Sequence, residues 1–476
     1  MTRRSALPLL SLLLTVAPVN AGPAVPATAT PGSAAGPRVI LISIDGLRPK
    51  TYLDPAAHGV ELPHLQALMK RGAYAEAVEG VFPTVTYPSH TTLITGVRSA
   101  THGIFGNSYF QPDKAGPADW YWHTAAIRVP TLWHVAQQAG LTVANLSWPV
   151  SVGCPCDWNI PEIWDNSSPA QPDTMRILRE HTVPPDLIDR IGADTEPWTD
   201  ENYNINTLTR DLLAAQAAAW MIEEFRPHFF TIHLMEYDHF AHGEGPDGPQ
   251  ALQALEYADA AVGMIVEAVE RAGLADDITI VVTGDHGFAA VERQVRPNEW
   301  LAEGGYLTVA EGKITGWRAQ FFTSGAAAAL LLRDVGDVEL AAEIQADFER
   351  RLGAIPEADR PFDILTRQEL DELEAFPVSP FGLALRPGWN VSKKVGAGFS
   401  GSDDGGTHGY PPSMPAMHAG LILAGRGIDP DGHAEQVSMV DIAPTIAALL
   451  GVELTQADGE PFVWALLPET VGAAGR

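Results

Sequence analysis

The run RVILISIDG, residues 38–46, decides how the chain reads. Almost wholly apolar from Arg38 to Ile44, it ends abruptly in Asp45-Gly46. That is the pattern of a strand buried on both faces with an acid at its C-terminal edge. In open α/β sheets, ligands bind at that edge. A second run, DITIVVT (277–283), leads straight into Gly284-Asp285-His286-Gly287, and a third, 228–234, ends near Glu236-Tyr237-Asp238. Helical segments lie between: 62–71 stopped by Gly72, 130–139 stopped by Gly140, 205–225 broken by Pro227, and 250–272. Further strands are expected over 73–79, 141–147 and 419–423, with a helix over 440–450. Strands alternating with helices predict an α/β fold: a mainly parallel central sheet with helices on both faces. Periodicity fades between 291 and 402, which reads as an inserted cap region within a single domain spanning 38–465. Residues 466–476 read as a C-terminal tail.

Composition narrows the class. With 476 residues, 46% hydrophobic and 19% charged, the chain can bury a substantial core. A formal net charge of −29 lacks the basic footprint of a nucleic-acid binder, so sequence-specific nucleic-acid recognition is not expected. It leaves room for a phosphate substrate, because divalent metals reverse the local field. Arg3-Arg4, an apolar run over 6–16 and Val19-Asn20-Ala21 read as an export signal over 1–21, too short to span a bilayer. Residues 22–37, rich in Ala, Pro, Gly and Thr, read as a flexible linker. The expectation is an exported protein, periplasmic or secreted, without a transmembrane anchor. Cys154 and Cys156, the only cysteines, flank Pro155; an oxidising compartment permits a disulfide there, and two cysteines make no zinc site.

The chemistry centres on VFPTVTYPSHTTLITGVRSATHGIFGN, residues 81–107. Thr86 stands just before Tyr87-Pro88-Ser89-His90, where a helix is expected over 88–95, ending at Gly96. A hydroxyl there faces unpaired N–H groups and the positive end of the helix dipole, a good place for a phosphoryl anion. Threonine is a poor nucleophile near neutral pH and needs a metal or a base. Helix capping is the commoner role of such a residue taken alone. The distant acids and histidines change that balance. Asp45, Asp238 and Asp285 sit at three sheet-edge turns; His242 follows Asp238 by four residues, His286 follows Asp285, and His408 lies in Gly405-Gly406-Thr407-His408-Gly409. Such a mixed nitrogen and oxygen set suits zinc, with manganese or another divalent ion as the alternative.

SIDGLRP (43–49), FPTVTYPSHTTLITG (82–96), HGIFGN (102–107), EYDHFAHGEGP (236–246), VTGDHGF (282–288), THGYPPSMPAMH (407–418) and VDIAPTIAALLGV (440–452) occur in one order along the chain. Together they resemble the nucleotide pyrophosphatase/phosphodiesterase family of the alkaline phosphatase superfamily. The resemblance implies an alkaline-phosphatase-like fold holding two zinc ions. Asp45, Thr86, Asp285 and His286 would hold one, and Asp238, His242 and His408 the other. It implies Thr86 as a nucleophile passing through a threonyl-phosphate, and Asn107 as a donor to a nonbridging phosphoryl oxygen. Two ions about 4 Å apart would clamp the entering and departing oxygens.

Phosphatases of this superfamily that use threonine carry a Lys/Arg pair after the next strand. Here no Lys or Arg occurs between Arg128 and Arg176, and Ser147-Trp148-Pro149-Val150 resembles the Trp-Pro turn of the diesterase branch. A small-molecule phosphodiester or a pyrophosphate-linked nucleotide is therefore the expected substrate. Tyr87 replaces a common phenylalanine and would stack on a base; Trp148 and His233 join Tyr87 and Asn107 as substrate-binding candidates. His233 stands where nucleotide-cleaving relatives often carry an aromatic residue, and Ser89 replaces their usual asparagine, so base preference is the feature these departures touch. Trp120, Trp122, Trp148, Trp158 and Trp164 are candidates for an aromatic pocket wall, with core packing the commoner role for most of them. A phosphomonoesterase or phosphonate hydrolase on the same scaffold is the alternative, and a non-catalytic metal-stabilised binding protein the third reading. No oligomeric state follows.

Overall fold

A computed structural model of the chain describes residues 36–114, 117–166 and 173–470. The expected export signal, residues 22–35 of the linker and residues 471–476 lie outside the described residues. The apolar run Arg38–Ile44 forms strand β1, buried along its whole length. Five more strands of the same sheet follow in the chain: β2 (Ala73–Glu79), β3 (Val143–Leu146), β4 (Trp158–Ile160), β5 (Phe229–Leu234) and β6 (Ile278–Thr283). β1 lies between β5 and β6, parallel to both, with Ile42 level with Ile232 and Val282. β3 extends the parallel set beside β5, and β4 beside β3. The strand Ala419–Gly425 runs antiparallel between β6 and β2. The sheet is thus mainly parallel.

Alternation along β1 sorts its side chains into two layers. Ile40, Ile42 and Ile44 pack in one core with the helices α2 (Arg210–Phe225) and α4 (Pro249–Arg271). Val39 and Leu41 pack on the other face with Leu93 and Ile94 of α1 (Thr86–Thr95) and with Ile442–Leu450. Helix α3 (Glu236–Glu244) follows β5 directly. A buried face on each side is what drives a parallel sheet to be covered twice.

Some expected boundaries move. The helix expected over 205–225 begins at Arg210, because Asn204 turns the chain: its Oδ1 accepts the Asn206 N–H at 2.9 Å. Short polar side chains that bond their own backbone compete with helix in this way. Packing also continues beyond 465: Leu466 is buried, and the Leu467 N–H donates to Gly427.

The stretch where periodicity fades is regular in the structure. Ala319–Ser324, Ala327–Leu332, Phe381–Leu385 and Phe362–Thr366 form a separate antiparallel sheet in that order, with Val338–Gly353 packed on it. Ala289–Val295 pairs with Gly388–Val391, Ser400–Ser402 and Gly406–Thr407. Cys154 and Cys156 are joined in a disulfide. No helix among the described residues is long and apolar enough to cross a membrane.

Candidate metal and active site

Asp45 and Asp285 leave neighbouring strands, β1 and β6, at the same sheet edge, so the fold brings them side by side. Asp285 Oδ1 accepts the Gly46 N–H at 3.0 Å, in a turn where Gly46 takes φ 75°, a left-handed conformation that favours glycine. Gly287 is required for a different reason: a Cβ there would lie 2.1 Å from the Ala416 carbonyl oxygen. Between these glycines sits His286, its Nε2 3.1 Å from Asp285 Oδ2 and 3.4 Å from Asp45 Oδ1.

Asp238 does not sit in a turn after a strand. It lies in the first turn of α3, which begins at Glu236 because Asp211 accepts the N–H groups of Met235 (3.0 Å) and Glu236 (3.2 Å). On a helix the four-residue spacing places His242 above Asp238, and His242 Nε2 lies 3.4 Å from Asp238 Oδ2. His408 closes the group, its Nε2 3.5 Å from Asp238 Oδ1 and 3.2 Å from His242 Nε2. Its ring stacks on His286 with centroids 3.7 Å apart.

All six Asp and His residues expected as ligands therefore converge. The donor atoms of Asp45, Asp285 and His286 lie within 4.8 Å of one another, as do those of Asp238, His286 and His408. His286 belongs to both groups, whereas the resemblance placed it in the first alone.

The histidine rings are oriented alike. Nδ1 of His242 faces the Gly406 carbonyl (3.1 Å), Nδ1 of His286 the Gly287 carbonyl (3.0 Å), and Nδ1 of His408 the Thr84 carbonyl (2.9 Å). A carbonyl only accepts, so each Nδ1 bears the hydrogen and each Nε2 turns toward the carboxylates. This is the arrangement of metal-binding histidines. Asp45 Oδ1, Asp238 Oδ1, Asp285 Oδ2 and His286 Nε2 are buried without hydrogen-bond partners. Orphaned donor atoms aimed at one point, in a nitrogen and oxygen set, fit divalent cations.

The field agrees. Burial pulls the His286 ring down, yet Asp285, Asp45 and Asp238 lift it to about 9; the same field would hold a cation. Burial and the charges of Asp238 and Asp285 push Asp45 up. Burial opposes ionisation of Asp285, but His286 and His90 hold it below the usual carboxylate range. His408 is pushed well down by burial and by the neighbouring rings of His286 and His242.

Thr86 is the first residue of α1, two residues earlier than the helix expected from Pro88, with Val85 extended before it. Thr86 and Asn107 line a cavity of about 450 Å³ together with Asp45, Asp238, His242 and His408. Asn107 Oδ1 accepts the Tyr87 N–H at 3.0 Å, which leaves its NH₂ as the group to offer a ligand.

Two substrate-binding expectations are corrected. Tyr87 lines the cavity as expected, but its side chain is fully buried, the ring edge-on to Trp120 and the hydroxyl donating to Glu162 Oε1 at 2.8 Å, so it has no face for a base. Trp148 is also fully buried, its Nε1–H donating to the His90 carbonyl, and it does not line the cavity. His233 lines it but is engaged at both nitrogens: Nε2 with Asp45 Oδ2 (3.0 Å), and Nδ1 with Glu162 Oε2 (2.9 Å) and the Ser147 carbonyl (3.1 Å). Burial opposes its charge, but Asp45 and Glu162 raise it well above the ordinary imidazole range.

Glu162 and Asp211 escape a reading by motif, whereas Trp120 and Trp164, named as pocket candidates, do line the cavity, together with Tyr203. Only the absence of Lys and Arg around Glu162 hinted at its setting. No residue of 291–402 lines the cavity; its outer wall is built from 162–165 and 200–210. The separate sheet instead holds the site through the turn between two of its strands, where the Ala326 N–H donates to the His408 carbonyl at 2.7 Å.

Comparison with known proteins gives consistent relatives. The family described as type I phosphodiesterase / nucleotide pyrophosphatase matches residues 39–411. Bis(5'-adenosyl)-triphosphatase enpp4 of Xenopus laevis is 23% identical over 436 residues, covering 89% of this chain and 79% of that protein. Human ectonucleotide pyrophosphatase/phosphodiesterase family member 5 is 22% identical over 432 residues, covering 87% and 74%. Rat family member 3 is 27% identical over 262 residues, 53% of this chain but a quarter (25%) of that protein's length. Among solved structures, murine ectonucleotide pyrophosphatase/phosphodiesterase 5, an inactive form in complex with AMP, superposes with a TM-score of 0.61 at 20% identity. The match covers 89% of this chain and 97% of the other and shows the shared fold.

Proposed function

The chain belongs to the type I phosphodiesterase/nucleotide pyrophosphatase family, and on that premise we propose that it is a two-zinc hydrolase cleaving phosphodiester or nucleotide pyrophosphate bonds through a threonyl-phosphate on Thr86. The observation that carries the reading is the convergence of orphaned Asp and His donor atoms beside Thr86 and Asn107 in one cavity. Asp45, Asp285 and His286, with Thr86, would hold one ion; Asp238, His242 and His408 would hold the other. Bound there, divalent cations supply Lewis-acid activation of a hydroxyl and neutralise charge on the entering and departing oxygens.

The chain's own residues do the rest. Thr86 Oγ1 forms a bond to phosphorus as the ester or anhydride P–O bond breaks, and the hydroxyl proton ends on the departing oxygen through solvent. Water then displaces Thr86, releasing the phosphate product and restoring the hydroxyl. Asn107, its carboxamide oxygen pinned by Tyr87 N–H, offers its NH₂ to a nonbridging oxygen. Among the described residues that line the cavity Arg210 is the only Arg or Lys, and it is committed to Glu236 at 3.5 Å and to the face of Tyr203 at 4.3 Å. That arrangement favours the singly charged phosphorus of a diester over the dianion of a monoester. Trp120 and Trp164 offer aromatic surface to a nucleoside, and the AMP held by the murine relative supports that class.

The test is a comparison of kcat/KM for p-nitrophenyl thymidine monophosphate and p-nitrophenyl phosphate in zinc-loaded protein. The diester is expected to be cleaved faster, and the reverse preference refutes the substrate assignment. Thr86→Ala is expected to lower kcat by about 10³-fold or more with zinc content retained; unchanged turnover refutes the nucleophile.

A further inference from the structure

We propose that Glu162 is a positioning residue that ties the nucleophile's turn to Asp45, one carboxylate oxygen holding the Tyr87 hydroxyl and the other acting on Asp45 through the His233 ring. The inference rests on the reading of Asp45 as a metal ligand.

Glu162 follows β4, far in sequence from every expected ligand, and is 5% exposed. Its two oxygens do separate work. Oε1 accepts the Tyr87 hydroxyl at 2.8 Å, and Oε2 faces His233 Nδ1 at 2.9 Å. Nδ1 also faces the Ser147 carbonyl, so that nitrogen carries a hydrogen. On the far side of the ring, Nε2 holds Asp45 Oδ2 at 3.0 Å. With Oδ2 so held, Oδ1 is the oxygen turned toward His286, and it has no hydrogen-bond partner. Tyr87 is the residue after Thr86, and its N–H fixes Asn107. One buried carboxylate thus sets the orientation of a ligand, the residue beside the nucleophile and, through that residue, the phosphoryl-oxygen donor.

Burying a carboxylate costs free energy unless every oxygen is used, and both are used here for orientation. Hydrogen-bond partners behind a metal ligand fix its rotamer and its basicity. The His233 ring spans Asp45 and Glu162 because Ser43 of β1 and His233 of β5 are register neighbours, which puts the ring one strand from Asp45.

The experiment is zinc competition against a chromophoric chelator in the full chain, for wild type, Glu162→Ala and Glu162→Gln, alongside melting curves and the visible spectrum of the cobalt(II)-loaded proteins. Glu162→Ala is expected to weaken one of two zinc sites about tenfold and alter the cobalt spectrum. Glu162→Gln, which still offers an oxygen to His233, is expected to stay within about threefold of wild type. Unchanged zinc affinity in the Ala variant, or equal losses in both variants, overturns the proposal while leaving the two-metal reading in place. If Glu162→Ala does not fold, a well-folded Glu162→Gln with zinc affinity lowered more than tenfold likewise overturns it. A wild-type chain that takes up no zinc overturns both.

Discussion

The edge of the central sheet and the separate antiparallel sheet of residues 319–385 each have a buried interior, yet they bury opposite things. The antiparallel sheet hides Phe321, Phe348, Phe362 and Phe381, and its charges pair at the surface, as Arg386 does with Asp363. At the central edge, Asp285 and His286 are as deeply buried as those rings and Asp45 nearly so, with donor atoms lacking partners. Unpaired buried charge destabilises a fold, whereas buried aromatic rings stabilise it. The difference separates a region that supports from a region that reacts. The two are joined where Ala326 holds the His408 carbonyl.

The contrast can be broken most severely by removing metal. Exhaustive chelation is expected to abolish diester hydrolysis, with added zinc restoring it, while the antiparallel sheet keeps its near-ultraviolet aromatic signal. Persistent turnover in metal-free protein would erase the distinction.

Phe321→Ala attacks the other side. It is expected to cost about 3–5 kcal/mol in denaturant unfolding, with kcat per folded molecule preserved. A large loss of kcat in folded protein would show that the separate sheet does more than support.

His102 sharpens the comparison, since it is buried beside α1 but fully partnered. Its Nδ1 accepts the Ile104 N–H at 3.1 Å, and its Nε2 lies 3.3 Å from Thr92 Oγ1. Burial lowers its pKa to about 3, below the ordinary value near 6.5. Between those values the unfolded chain binds more protons than the folded one. Stability from this group is therefore complete above about pH 6.5 and lost as the pH falls toward 3. His102→Gln is expected to flatten the stability–pH curve by about 1.4 kcal/mol per pH unit in that window, at fixed zinc. An identical slope in wild type and variant would contradict a neutral buried ring.

The smallest effect belongs to the surface. Arg333 pairs with Asp113 at 2.8 Å with both side chains more than half exposed, so Arg333→Ala is expected to change unfolding free energy by about 1 kcal/mol or less.

Much of the site was legible because its parts are local. An apolar run ending in Asp-Gly or Gly-Asp-His announces a sheet edge; the four-residue spacing of Asp238 and His242 was legible too, but the helix that stacks them was read as a turn. Tyr87 and Trp148 misled because an aromatic residue beside a nucleophile looks the same whether it faces ligand or core. Glu162 was illegible because its meaning depends on His233, 71 residues later, and on Asp45 beyond that.

Sequence alone determined most of the strands and helices around the central sheet, the acids that follow β1 and β6 and the threonine near a helix start, since each follows from spacing and polarity within a few residues. Tertiary structure alone decided that His286 faces both ligand groups, that backbone carbonyls turn three histidines the same way, and that residues 162–165 and 200–210 wall the cavity. Those outcomes depend on which segments pack together across hundreds of residues, and no local pattern carries that information.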